Sequence, residues 1–233
     1  MSGKPTLILV PGLLCSARLW AAQIDGLSDL ADIAVADMTR DDTMAGMAQR
    51  VLDCTDGTFS LAGLSMGGYV AMEVMRRAPE RVERLALLDT GARADTEEQT
   101  IRRRDLIGLA DRGEFKAVSP KLLPLFVHPD RLADKAMVDA ISKMADSVGK
   151  DAFLRQQQAI MHRPDSRPGL AAIACTTLVV CGREDVLTPP ELSEEIAGLV
   201  PGADFVLIEG CGHLSTMERP DDVNAALRSW MSR

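Results

Sequence analysis

Phe59-Ser60-Leu61-Ala62-Gly63-Leu64-Ser65-Met66-Gly67-Gly68-Tyr69 is the stretch that decides how this 233-residue chain is read. A short apolar run over 59–64 feeds Gly-x-Ser-x-Gly, and the apolar-periodic segment after it continues through Arg77. Turning from strand to helix at one residue forces Ser65 into a strained backbone conformation and projects its hydroxyl above the sheet. The positions two before and two after must then be small, and Gly63 and Gly67 occupy them. Ser65 is the candidate nucleophile, and Gly63 and Gly67 form the elbow that presents it.

Working outward, the same strand-then-helix rhythm recurs on both sides. Thr6–Val10 is a continuous apolar run of strand length, the pattern of a strand buried on both faces of a parallel sheet. Ile33–Ala36, Leu85–Leu88, Thr177–Cys181 and Phe205–Ile208 read as further strands. Helices are expected over about 18–30, 44–52, 66–77, 190–200 and 221–231. Such alternation specifies an α/β fold with a doubly wound, mainly parallel six-stranded sheet. The rhythm breaks between the fourth and fifth strands. Thr96-Glu-Glu-Gln99 is a capping box opening a helix to Gly113, Asp130 caps a second ending at Gly149, and 150–163 forms a third. The chain therefore divides into a core, 1–91 and 166–233, and a helical lid, 92–165.

Composition narrows the function. The net charge of −8 disfavours nucleic acid and anionic membrane surfaces, leaving a small molecule as the expected partner. Five Cys form no C-x-x-C pair and leave an odd one over, as expected for free thiols in a reducing compartment. The apolar run at the start leads into Pro11-Gly12 without a small-residue cleavage site, so it reads as a strand and the protein as cytoplasmic. Three His, without H-E-x-x-H or other ligand spacing, give no metal site, and no cofactor is expected. Nothing here sets an oligomeric state.

A serine hydroxyl needs an imidazole to take its proton and a carboxylate to hold that imidazole in the right tautomer. Asp185 follows the fifth strand and His213 the sixth, and loops after parallel strands converge at one sheet edge. Asp185 is the expected acid and His213 the expected base; Asp89, at the end of the fourth strand, competes for the acid role and otherwise reads as a loop cap. His128 and His162 lie in the insertion and read as surface residues. Oxyanion charge needs preorganised N–H donors. Met66, at the helix N-terminus, supplies one; Leu13 supplies the other, with Leu14 the fallback, because Pro11 has no N–H. The apolar segments Leu122–Val127 and Ile160-Met161 are candidate pocket walls, with pinning of the lid to the core as the alternative for 122–127; Arg102-Arg103-Arg104 reads as a solvated helix face, with contact to a carboxylate-bearing substrate as the alternative.

Val10-Pro-Gly-Leu-Leu14, Gly63-Leu-Ser-Met-Gly-Gly68, Gly182-Arg-Glu-Asp-Val-Leu-Thr-Pro-Pro190 and Gly210-Cys-Gly-His-Leu214 together resemble the α/β-hydrolase superfamily over nearly the whole chain. The resemblance is to small bacterial carboxylesterases, enol-lactone hydrolases and cofactor-free perhydrolases. It implies a serine hydrolase of small esters or lactones working through an acyl-enzyme. It leaves open perhydrolysis or C–C bond hydrolysis on the same triad, and a small-molecule receptor on the same fold. Two departures stand out: Pro11 replaces the His many relatives carry, and the first two strands of the usual sheet are not expected here.

Overall fold

A computed structural model describes residues 3–233. Its sheet holds β1 (Thr6–Val10), β2 (Asp32–Val35), β3 (Phe59–Leu64), β4 (Val82–Leu88), β5 (Thr176–Gly182) and β6 (Asp204–Ile208). The strands lie in the order β2-β1-β3-β4-β5-β6, every pairing parallel, with Leu9 opposite Ala62 and Ala86 opposite Leu178. Leu7, Ile8, Leu9 and Val10 are all fully buried. Since successive side chains point to opposite faces, both faces of the sheet are covered, which is why its central strands are written as unbroken apolar runs. The edge strands β2 and β6 are mostly half-buried.

The covering helices are α1 (Ala21–Leu27), α2 (Met44–Leu52) and α3 (Met66–Arg77) before β4, and α9 (Pro190–Leu199) and α11 (Pro220–Met231) around β6. Helix α1 packs against α11 and α2 against α3. The stretch 18–30, expected as one helix, is a 3₁₀ turn over Ala17–Trp20 followed by α1, with Ser16 accepting from the Arg18 amide to start it.

Between β4 and β5 lie α4 (Glu97–Leu109), α5 (Val118–Phe126), α6 (Lys135–Val148), α7 (Lys150–Met161) and the short α8 (Arg167–Leu170); α10 (Ser215–Glu218) is a single turn after β6. The capping box of α4 is present, with Thr96 Oγ1 accepting from Gln99 N at 3.2 Å and Gln99 Oε1 accepting from Thr96 N at 2.9 Å. The cap of α6 is Asp134, not Asp130. Its extended backbone lets the carboxylate reach the Met137 amide at 3.1 Å, whereas Asp130 falls in a 3₁₀ turn pinned by Pro129. Helix α5 escapes the sequence reading because of Pro120 and Pro124. Pro120 is harmless in the first turn, where its amide would have no acceptor, and burial of Val118, Leu122 and Phe126 outweighs the break at Pro124.

Helix α7 is knitted to the core. Gln156 is fully buried, accepts from Leu14 N and donates to Met38 O, both at 3.0 Å, while Arg155 donates to Thr39 O at 2.9 Å. The chain steps from β1 outward to β2, then back across to β3. That reversal opens a crevice at the carboxyl ends of β1 and β3.

Candidate active site

Ser65 sits in this crevice with φ 57° and ψ −115°, a conformation that costs a side-chain-bearing residue about 1–3 kcal/mol. Its surroundings over-determine that geometry. Its amide donates to Leu88 O at 2.9 Å, and its carbonyl accepts from Thr90 Oγ1 at 2.8 Å and Gly68 N at 2.9 Å. A Cβ on Gly67 would lie 2.1 Å from the Val10 carbonyl oxygen, and one on Gly63 would lie 2.2 Å from the Gly67 carbonyl oxygen. Only glycines let the helix start this close to β1 and β3.

His213 Nε2 stands 2.8 Å from Ser65 Oγ, and Nδ1 stands 2.8 Å from Asp185 Oδ2. Both His213 and Asp185 are buried. Asp185 is held in turn: Oδ1 accepts from the amides of Leu187 and Thr188, both at 2.9 Å, and Oδ2 accepts from Thr188 Oγ1 at 2.7 Å. With that carboxylate on Nδ1, the proton belongs there, leaving Nε2 as the acceptor that faces the serine. Phe126 lies over the imidazole, centroids 6.0 Å apart and planes at 22°. Burial lowers the His213 pKa, but the charge and hydrogen bond of Asp185 outweigh it, and the net shift is upward.

Asp89, the rival for the acid, has a different neighbourhood. It accepts from Gly182 N at 2.9 Å and from the Ser215 hydroxyl, and makes no hydrogen bond to His213. Burial, and then the nearby Asp185 charge, push its carboxyl up to about 8. Asp89, Cys181 and Asp185 lie within 4.8 Å of one another. All four carboxylate oxygens already accept a hydrogen bond, however, and burial drives the Cys181 thiol far upward, away from a metal-binding thiolate.

Among the described residues, three non-glycine residues have positive φ: Leu14 at 59°, Ser65 at 57° and Asp89 at 45°. They stand after β1, β3 and β4, so the strain gathers at one sheet edge. At Leu14 it has a visible result: the amide is turned onto Gln156, while the Leu13 amide has no protein acceptor among the described residues. The Met66 amide, first in α3, is likewise open.

Above Ser65 is a cavity of about 400 Å³, bordered by Leu13, Leu64 and His213 below and by Leu106, Leu122, Leu125, Phe126 and Ile160 from the inserted helices. His162 is exposed, and His128 is half-buried with its amide bonded to Glu218; neither lines the cavity. The reading of Arg102-Arg103-Arg104 as a solvated face holds for Arg104, holds in part for Arg102, which is exposed but borders the cavity, and fails for Arg103, which turns inward to Asp95 and Gln157. Phe126 falls in the segment expected as a pocket wall and Thr188 in the 182–190 motif, though neither contact to the triad is signalled, while Gln156 carries no sequence signal of its role. No helix among the described residues is long and apolar enough to cross a membrane.

Comparison with known proteins bears on the family and the fold. RutD of Pseudomonas savastanoi pv. phaseolicola, which carries the name carbamate hydrolase, is 27% identical over 93% of this chain and 89% of its own. A thermophilic esterase from Thermogutta terrifontis, solved with malate bound, matches with TM-score 0.91 and 29% identity, covering 99% of this chain and 91% of that one. The enol-lactonase of Burkholderia xenovorans shares the fold, with TM-score 0.91 at 23% identity over 100% of this chain and 93% of its own. The model of the alpha/beta hydrolase family matches residues 7–226, and with a six-stranded parallel sheet carrying a strand–serine–helix elbow at its carboxyl edge, this chain is a hydrolase belonging to that family.

Proposed function

We propose that the protein is a serine hydrolase of small carboxylic esters or lactones, acting through Ser65, His213 and Asp185 and a covalent acyl-enzyme. The observation that carries this reading is the unbroken relay from Ser65 Oγ through both imidazole nitrogens to Asp185, each link 2.8 Å. His213 Nε2 takes the hydroxyl proton as Oγ attacks the acyl carbon. Charge develops on the carbonyl oxygen, facing the open amides of Leu13 and Met66. The imidazolium, stabilised by Asp185, then protonates the departing alcohol. Water activated by His213 releases the acid and restores the serine. In this reading the helices within 92–165 act as the lid of the acyl pocket.

Support also comes from the names of relatives: attack on an acyl carbon is the step an esterase and a carbamate hydrolase share. The test is labelling with a fluorophosphonate probe, followed by mass spectrometry during turnover of an aryl butyrate. Labelling confined to Ser65 and a transient mass increase of one butyryl group are expected. Labelling without turnover of any ester or lactone would replace the enzyme by a receptor on the same fold.

A further inference from the structure

The cavity above Ser65 carries a charge opposite to that of the chain. Acidic residues outnumber basic ones 34 to 26 overall, yet the cavity wall presents Arg93, Arg102, Arg103, Lys121 and Arg163 against Asp105 alone. Arg93 is matched by Glu195 in a two-pronged pair, both contacts 2.9 Å. The deeper wall is not matched. Arg103 Nε donates to Asp95 Oδ2 at 2.6 Å, and Arg163 pairs with the other oxygen of the same carboxylate. The Asp95 side chain is 1% exposed, that of Arg163 6% and that of Arg103 18%. Two guanidinium groups therefore share one buried carboxylate, and one positive charge is left over.

Donors are in surplus as well. Gln157, fully buried and bordering the cavity, spends its carbonyl oxygen on Arg103 at 3.0 Å, and its Nε2 has no acceptor among the described residues. Arg163 uses Nε and one terminal nitrogen, on Asp95 and the carbonyls of Arg93 and Ile160, and leaves the other terminal nitrogen without an acceptor among the described residues. The Arg163 guanidinium lies over the Tyr69 ring, 4.2 Å from its centroid, which offsets part of its charge but leaves its in-plane donors unchanged. The orphan Nε2 of Gln157 and the remaining terminal nitrogen of Arg163 are donors that a carboxylate, with its free lone pairs, can accept.

We propose that Arg103, Arg163 and Gln157 form a carboxylate-recognition subsite, so that the substrate carries a second carboxylate remote from the acyl carbon that Ser65 attacks. The inference rests on the acyl-hydrolysis reading for its substrate class, and Leu122, Leu125 and Ile160 supply an aliphatic wall for the methylenes between the two ends.

The experiment has two arms. In the first, kcat/KM is compared for the mono-aryl esters of succinic, glutaric and adipic acid and for neutral acyl esters of equal length with the same leaving group. At least one acidic ester should lead its neutral counterpart roughly 10- to 100-fold, the range of a charge-assisted contact. Arg103→Gln should collapse that ratio. So should Gln157→Glu, which places a carboxylate on the surplus charge and serves if the arginine variant does not fold. Arg104→Gln, on the exposed side of the same helix, should leave it unchanged. A ratio at or below one for all three acids, or equal effects of Arg103→Gln and Arg104→Gln, overturns the subsite. In the second arm, calorimetry with succinate, glutarate and adipate needs no turnover. Binding that is lost in Arg103→Gln supports the subsite even if no ester is hydrolysed and the catalytic reading fails; absence of binding of all three overturns it.

Discussion

The strand-end loops and the helices that roof them are built on opposite plans. At the sheet edge the backbone fixes nearly everything. Ser65 is gripped through its amide and carbonyl, Asp185 accepts three hydrogen bonds besides that of His213, and all three strained non-glycine residues stand there. In the roof, side chains decide: α4 is mostly exposed, leaves Ile101 half open, and contributes Leu106 and Arg103 to the cavity. Under the proposed function the contrast separates two tasks. Placing a nucleophile to within tenths of an ångström calls for a rigid, over-determined frame, whereas choosing a substrate calls for walls whose chemistry can vary without disturbing that frame.

The sharpest way to break this contrast is at the serine itself. Ser65→Ala should lower kcat for an aryl butyrate by about 10⁴- to 10⁶-fold, because members of a triad act as a unit. Its thermal midpoint should stay close to that of the parent, since the frame holds backbone atoms rather than the hydroxyl. Residual turnover within tenfold of the parent would place the chemistry elsewhere.

The next test separates two buried carboxylates at the same edge. Asp185→Asn should cost about 10⁴-fold in kcat through loss of the tautomer-fixing acceptor, a magnitude known from triads of this kind. Asp89→Asn should cost less than about tenfold, since Asp89 does not touch His213. Its effect belongs to stability. The Asp89 carboxyl, pushed up to about 8 by burial, has an unfolded value near 3.8, so its contribution is fullest below 3.8 and is lost as pH rises through 8. An amide at that position does not titrate. The thermal midpoint of Asp89→Asn, relative to the parent, should therefore improve between pH 4 and 8; a flat difference would show that Asp89 is ionised in the fold.

A smaller effect concerns pH and rate. In the proposed mechanism His213 acts as a base only when neutral, and its pKa is raised above 6.5 by Asp185 against the opposing effect of burial. The acid limb of kcat/KM should then lie above pH 6.5 and move down in Asp185→Asn. A limb below 6.5 in the parent would mean that burial wins.

The least of the expected effects lies in the roof. Leu125→Ala should flatten the preference for hexanoyl over acetyl esters by about fourfold per lost methylene contact, corresponding to about 0.8 kcal/mol each. The acetyl rate should change little. An equal loss on both esters would show that α5 supports the strand-end frame instead of shaping the pocket.

The sequence by itself determined the sheet, the elbow and the pairing of loops. Apolar runs at strand spacing admit few topologies, Gly63 and Gly67 admit only a close strand–helix turn at Ser65, and Asp185 and His213 stand just past β5 and β6, whose ends must meet at one edge. The short-range cap at Thr96 was legible for the same reason: it lies within four residues. Contacts that join distant segments were not. Loop position already favours Asp185 over Asp89, but what separates them is which carboxylate reaches His213, a matter of side-chain direction after both strands have ended in the same place. Gln156 reaching back to Leu14 spans 142 residues, and Arg103 sharing Asp95 with Arg163 depends on how α4 lies against α7. Local patterning writes the period of a helix or strand into the chain, but the partner of a buried polar group is fixed only when the packed elements leave it one place to go.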